Sequence, residues 1–372
     1  MTRPDANPSD LPPGAGAPRG RATPRLVRRA LHRTLDRVAY VEPVRPDAAQ
    51  GLVARVYAQV EHDFGMLAPP VALHSPAPEV LAASWLMLRE TLVAGPASGR
   101  PDAETVAASV SRANACPYCV AVHDATLHGL VPARAAGEDD RGTLAAWAAG
   151  TGRCGPGEPA AAPFDATRAP RLVGVAVTFH YLNRMVNVFL DDSPVPPRVP
   201  AQVRAPMLRV LGRLLRSAAR RGAEPGAALG LLSEASPPGD LAWAAADPVI
   251  EDAFARAVEA IERAGRRALP APVRALVLER LADRDGTHPA AGRGWLDEAV
   301  AALPDAERPA ARLALLTALA SHRVGPADVA AFRHADPDDA ALLGLTAWAS
   351  LAAARRIGET AVYLSAPTER KY

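Results

Sequence analysis

The chain has 372 residues, enough for two domains of ordinary size, and its 49% apolar and 22% charged residues suit a globular protein with a substantial core. A formal net charge of +2 and an aromatic content of 5% exclude the basic footprint and the stacking platforms of a nucleic-acid binder. Cys116, Cys119 and Cys154 are the three cysteines, too few and too odd in number for a disulfide-stapled secreted scaffold. They fit a reducing cytosol. Residues 1–40 lack the apolar core of a signal peptide, and no uncharged apolar run reaches the ~18 residues that suggest a membrane span, so a cytoplasmic protein without membrane insertion is expected. Alanine is abundant and β-branched runs are scarce, which predicts helices.

Residues 1–40 form an arm. The stretch 1–23 is rich in Pro, Gly and Arg with little to bury, and reads as disordered. The stretch 24-PRLVRRALHRTLDRV-38 is a basic, weakly amphipathic helix; it suits a solvated arm first and a patch for anionic surfaces second. A helical domain is expected over 41–193. Leu52, Val56, Val60 and Phe64 recur at helical spacing before Gly65, and 78-PEVLAASWLMLRETLVAG-95 opens on Pro and closes on Gly as helices do. Helices follow over 101–115, 117–131, about Leu144–Ala149, and 169-APRLVGVAVTFHYLNRMVNVFLDD-192. A linker, 194–200, leads to a second helical domain, 201–372, with helices expected over 203–222, 224–235, 248–268, 271–284, 292–302, 308–321, 326–334 and 337–358. The apolar helix 339–362 matches 170–193 in length, small interior residues and a late arginine (Arg356, Arg184), which suggests a diverged internal duplication.

The chemistry concentrates in 112-RANACPYCVAVHD-124. A glutaredoxin carries Cys-Pro-Tyr-Cys after a strand in a small βαβ fold, whereas here the motif follows helices and no strand flanks it. A structural zinc site usually takes two Cys-x-x-Cys pairs, or one pair with two well-placed histidines; only one pair exists here, with His123 and His128 as helpers, which weighs against zinc. Two merely buried thiols would be a third reading. If a helix begins at Pro117, Cys119 lies in its first turn with His123 four residues on, over it on the same face, an arrangement that favours thiolate. A turn at Asn114-Ala115 folds the two helices into a hairpin and brings Glu104 toward His123, completing a Cys–His–Glu relay. Taken alone, Glu104 would be a helix-start charge complementing the dipole.

The spacing Glu104, Cys116, Cys119, His123, within VAASVSRANACPYCVAVHDATL, resembles the signature of the alkylhydroperoxidase D (AhpD)-like, carboxymuconolactone decarboxylase superfamily. The upstream VYAQVEHDFGMLAPPVALHSPAPEVLAASWLMLRETL is similar to that family's lead-in helices, so the resemblance covers about 42–193 well and the rest weakly. It implies an all-α helical bundle and thiol-dependent reduction of hydrogen or organic peroxides, with Cys119 attacking the peroxide, Cys116 resolving, His123 exchanging the proton and Glu104 as relay carboxylate. It further implies an external thiol or dithiol reductant, no bound cofactor or metal, and a homo-oligomer. Some members carry His where this chain has Tyr118, so any role of that imidazole falls to Tyr118 or water.

Lowering a thiol pKa from ~8.5 to ~6.5 raises the thiolate fraction about 25-fold but costs about 8-fold in nucleophilicity, a net gain of only ~3-fold. Proton delivery to the departing oxygen is therefore the better task for His123. Decarboxylation of a carboxymuconolactone, the superfamily's other chemistry, needs no dithiol. A non-enzymatic redox-sensing or interaction protein is the remaining alternative. Glycine-rich nucleotide motifs are absent. Laid on 273–295, the motif finds Val273, Asp285, His288 and Gly292, so the rear half is expected to be degenerate and to contribute packing. Its His288, His322 and His334 read as surface or cap residues, and Cys154 as a bystander thiol.

Overall fold

The structure, a computed structural model, describes residues 33–131, 138–152, 162–196, 198–283, 289 and 292–363. Most of the N-terminal arm, Cys154, Asp285 and His288 lie outside the described residues; of the basic helix expected over 24–38, Arg33–Arg37 forms a single 3-10 stretch.

The fold is all-α. Among the described residues, strand-like pairing is confined to one bridge between Gly95 and Ala223. Helix α1 (Gly51–Gln59) continues through a wider π turn at Val60–Phe64 and stops at Gly65, whose φ of 95° is the left-handed conformation glycine accepts. After a short α2 (Pro69–Ala72), α3 (Pro78–Leu88) likewise widens at Arg89–Val93. The first half continues with α4 (Arg100–Ala113), α5 (Pro117–Leu130), α6 (Glu138–Gly150) and α7 (Ala169–Phe189). The second half holds α8 (Ala201–Ala219), α9 (Pro248–Ala268), α10 (Ala271–Ala282), α11 (Gly294–Val300), α12 (Arg308–Ala320), α13 (Pro326–Ala335) and α14 (Asp339–Tyr363). Proline occupies the first or second position of most of them, where its missing N–H has no helical partner to lose.

The helix expected over 224–235 does not form; a short 3-10 turn at Leu229–Leu231 stands there instead. Gly226 takes a left-handed φ of 80°, and the backbone of this segment is engaged elsewhere. Arg89, itself buried, donates to the Glu224 carbonyl at 3.0 Å and to Asp63 at 2.7 Å, while Glu90 accepts from Gly226 N–H at 2.9 Å. This ion-pair cluster ties the end of α3 to the rear half.

One hydrophobic core runs through both halves. The two long apolar helices α7 and α14 lie against each other, α9 packs between α3 and α14, and α4 packs on α5, α6 and α7. The halves repeat an order: α3 and α9 both open on Pro, α4 and α12 both open Arg-Pro, and α5 and α13 both open on Pro after a short turn. In that register Arg312, Asp328 and Phe332 stand where Glu104, Cys119 and His123 do.

Helix α8 crosses α5. Gly129 and Gly212 face each other there, and a methyl group on Gly212 would overlap the Ala125 carbonyl, which is backbone and cannot rotate aside. Gly212→Ala should therefore cost about 1–3 kcal/mol by overpacking, read as a lowered urea midpoint. An unchanged midpoint would show that α8 is not seated against α5 as described.

Candidate active site

Cys116 caps α5, Pro117 is its first residue, and Cys119 sits in its first turn. Both cysteines are free thiols and buried, at 1% and 4% exposure. Ala115 precedes them at φ 50°, a left-handed conformation uncommon for a residue with a side chain. The hairpin α4–α5 forms as the Asn114-Ala115 turn implies, and it carries Glu104 to His123. The Glu104 Oε2 lies 2.6 Å from His123 Nδ1.

Glu104 has no solvent exposure, so its charge needs partners within the fold. Its second oxygen accepts from Arg100 Nε at 2.7 Å, and Arg100 is buried as well. Burial alone would raise the carboxyl pKa, but Arg100 and His123 outweigh it and hold Glu104 below its ordinary range. With Nδ1 turned to the carboxylate, Nε2 is the nitrogen left for chemistry. Phe179 meets the imidazole edge-on with ring centroids 4.6 Å apart, which fixes the ring plane.

Cys119 and His123 share the wall of a cavity of about 440 Å3, within the ~300–1,000 Å3 typical of small-molecule sites. The rest of the lining is almost wholly apolar and includes Phe64, Met66, Leu88, Phe179 and Leu182. Met207, Val210, Leu211, Leu214 and Leu215 of α8 close one side. The rear half therefore does more than pack against the first: it supplies a wall of this cavity.

The Cys119 thiol is not of the kind the helix start predicts. Burial pushes its pKa well above the ordinary thiol value, and the hydrogen bond and proximity of Cys116 push in the same direction; the Asn183 amide opposes them. In this closed, reduced arrangement desolvation outweighs the favourable end of the helix dipole. Asn183 is itself fixed, donating to Ser111 Oγ and accepting from Asn114 Nδ2, each at 3.0 Å.

Sequence reasoning missed Arg100, Asn183 and the α8 wall. Arg100 had a signal: it lies four residues before Glu104 on one helix, the spacing at which side chains meet. Asn183 had none, because only the fold brings α7 to α5. Among the described residues, no three His, Cys, Asp or Glu side chains gather in a way that could hold a metal ion, and no helix is long and apolar enough to cross a membrane.

The raised thiol predicts the pH dependence of alkylation. A raised pKa keeps the proton on sulfur as pH climbs, so iodoacetamide labelling of Cys119 in the reduced protein should have its midpoint above that of free cysteine. A midpoint near pH 7 or lower would mean that the helix end and His123 overcome burial after all.

No family model matches the chain, and no solved structure does. A curated protein does: the chain is 38% identical over 333 residues to the alkyl hydroperoxide reductase Rv2159c of Mycobacterium tuberculosis (strain ATCC 25618 / H37Rv), covering 86% of this chain and 94% of that protein. Likeness at this level across nearly the whole of both chains, together with the all-α fold, shows that the chain belongs to the AhpD-like alkyl hydroperoxide reductase family.

Proposed function

We propose that the chain is a thiol peroxidase that reduces hydrogen or organic hydroperoxides through the Cys116–Cys119 dithiol. The observation that carries this reading is the pairing of a thiol, Cys119, with an imidazole, His123, on one apolar cavity, where the imidazole is held by the buried Glu104–Arg100 pair.

The steps balance as follows. Cys119 loses its proton to His123 Nε2 and attacks the terminal peroxide oxygen; the O–O bond breaks, and the departing alkoxide takes the proton back from His123 as the alcohol. Cys119 is left as a sulfenic acid. The Cys116 sulfur then displaces hydroxide, which leaves as water, and the disulfide closes. An external dithiol returns the pair to two thiols and becomes a disulfide itself.

A thiol with a raised pKa is a poor resident nucleophile but a strong one once its proton is removed, which makes the base at His123 indispensable. Glu104 stabilises the imidazolium that forms, and Arg100 keeps the carboxylate ionised. Neither touches the peroxide, so both act as positioning residues. The apolar cavity favours organic hydroperoxides and excludes bulk water from the reacting oxygen atoms.

Three substitutions separate these roles. Cys119→Ser should abolish turnover of an alkyl hydroperoxide. Cys116→Ser should leave a sulfenic acid on Cys119 that dimedone traps, without an intramolecular disulfide. Glu104→Gln keeps the shape but removes the charge, and should lower turnover by about 10²–10⁴-fold, the range of lost acid–base assistance. Normal turnover by Cys116→Ser with a dithiol present, or a Glu104→Gln protein within about threefold of the parent, would contradict the assignments, since that second figure lies far short of the same range.

A further inference from the structure

The two sulfurs of the dithiol line different cavities. Cys119 belongs to the apolar cavity of about 440 Å3, whereas Cys116 lines a separate one of about 60 Å3 together with Asn187, Asp191, Asp192 and His322. Tyr118, between the cysteines in sequence, takes part in both linings. The chemical character of the two is opposite: methyl, methylene and ring carbons on one side, two carboxylates, an amide and an imidazole on the other.

One loop contributes to both linings: Leu190, Asp191 and Asp192 line the Cys116 cavity, and Pro194, Val195 and Pro196 line the Cys119 cavity. Arg37 clamps this loop, donating to Asp191 Oδ2 at 2.6 Å, to the Ser193 carbonyl at 3.0 Å and to the Pro194 carbonyl at 3.2 Å. The division is therefore built into the fold.

We propose that the dithiol is worked from two sides: peroxide reaches Cys119 through the apolar cavity, and the external thiol reductant attacks Cys116 through the acidic notch. The proposal rests on the peroxidase reading for its physiological meaning. Its chemistry is that of disulfide exchange. A thiolate of the reductant forms a bond to Cys116 sulfur as the Cys116–Cys119 bond breaks. The electron pair departs on Cys119, which takes up a proton through His123. A second thiol of the reductant then displaces Cys116, which leaves as a thiol, and the reductant is released as its disulfide, two electrons poorer.

Two features favour this direction. A buried Cys119 departs readily only if it is protonated as the bond breaks, and the acid that can do this, His123, stands on its side of the partition. Attack on Cys119 would instead require a charged thiolate to cross an apolar cavity, where its desolvation is costly and where the peroxide must also bind. Asp192, and Asp191 to the extent that Arg37 leaves its charge uncompensated, make the notch acidic. It suits a slender neutral or cationic thiol over an anionic one.

The test needs no peroxide, so its failure and a failure of the peroxidase reading are distinguishable. The wild-type protein is oxidised with diamide, mixed with one equivalent of cysteamine, quenched in acid and mapped. Cysteamine is expected mostly on Cys116; recovery mostly on Cys119 overturns the proposal. If the mixed disulfide is too short-lived to map, Cys119→Ser and Cys116→Ser proteins are first converted to their 2-thiopyridyl mixed disulfides, in which cysteamine attacks the protein sulfur and releases pyridine-2-thione. Faster release from Cys116 is expected, and equal or slower release overturns the proposal. A second measurement compares reduction of the diamide-oxidised protein by cysteamine and by mercaptopropionate, before and after Asp192→Asn. The ratio of the two rates should fall about two- to fivefold, the size of one exposed charge interaction, and an unchanged ratio removes the acidic notch from the account.

Discussion

A carboxylate with no access to water cannot be left alone, and much of the site follows from how Glu104 is accommodated. One oxygen is taken by Arg100 on the same helix and the other by His123 across the hairpin. Removing one partner of such a buried group typically costs ~3–5 kcal/mol, so the triad is a structural commitment as well as a chemical one. It requires the α4–α5 hairpin to close in one register, which in turn sets the turn at Ala115 and the start of α5 at Pro117. Those two features decide where Cys116 and Cys119 sit. The position of the dithiol and the orientation of the imidazole are thus two consequences of one buried charge.

The second constraint is the apolar cavity, and it is shared between the halves of the chain. Helix α8 approaches α5 to backbone contact at Gly129 and Gly212 and lays Met207, Val210, Leu211, Leu214 and Leu215 along the site. The Arg89–Asp63–Glu90 cluster holds the segment that follows α8 through the backbone of Glu224 and Gly226. The rear half thus completes a cavity whose reactive side chains, Cys119 and His123, belong to the front half. In the rear half, Asp328 is ion-paired with Arg293 and Phe332 is buried.

Much of this was legible in the sequence, for identifiable reasons. Proline at helix starts, glycine at helix ends and alanine-rich interiors placed most of the helices, because those signals are local. The meeting of Glu104 with His123 was legible because it needs only two helices and a tight turn. The thiol was misjudged: helix position and a neighbouring histidine are visible along the chain, whereas the burial that raises the Cys119 pKa, and the hydrogen bond from Cys116 that adds to it, arise only in the folded packing. The false helix at 224–235 failed for a similar reason. Its composition permits a helix, but Arg89 and Glu90, more than a hundred residues away, engage its backbone. Asn183 and the division between the two cavities left no trace in local pattern at all.

The central claim is that one buried dithiol, served by one histidine, removes one peroxide per cycle. The most direct measurement mixes the fully reduced protein with a single equivalent of cumene hydroperoxide, without reductant, and follows peroxide loss together with the fate of each cysteine by mass spectrometry. The account predicts that the peroxide disappears, that cumyl alcohol forms in equal amount, and that Cys116 and Cys119 become joined while Cys154 stays reduced. Peroxide that persists beside two free thiols, or a disulfide that involves Cys154, would contradict it.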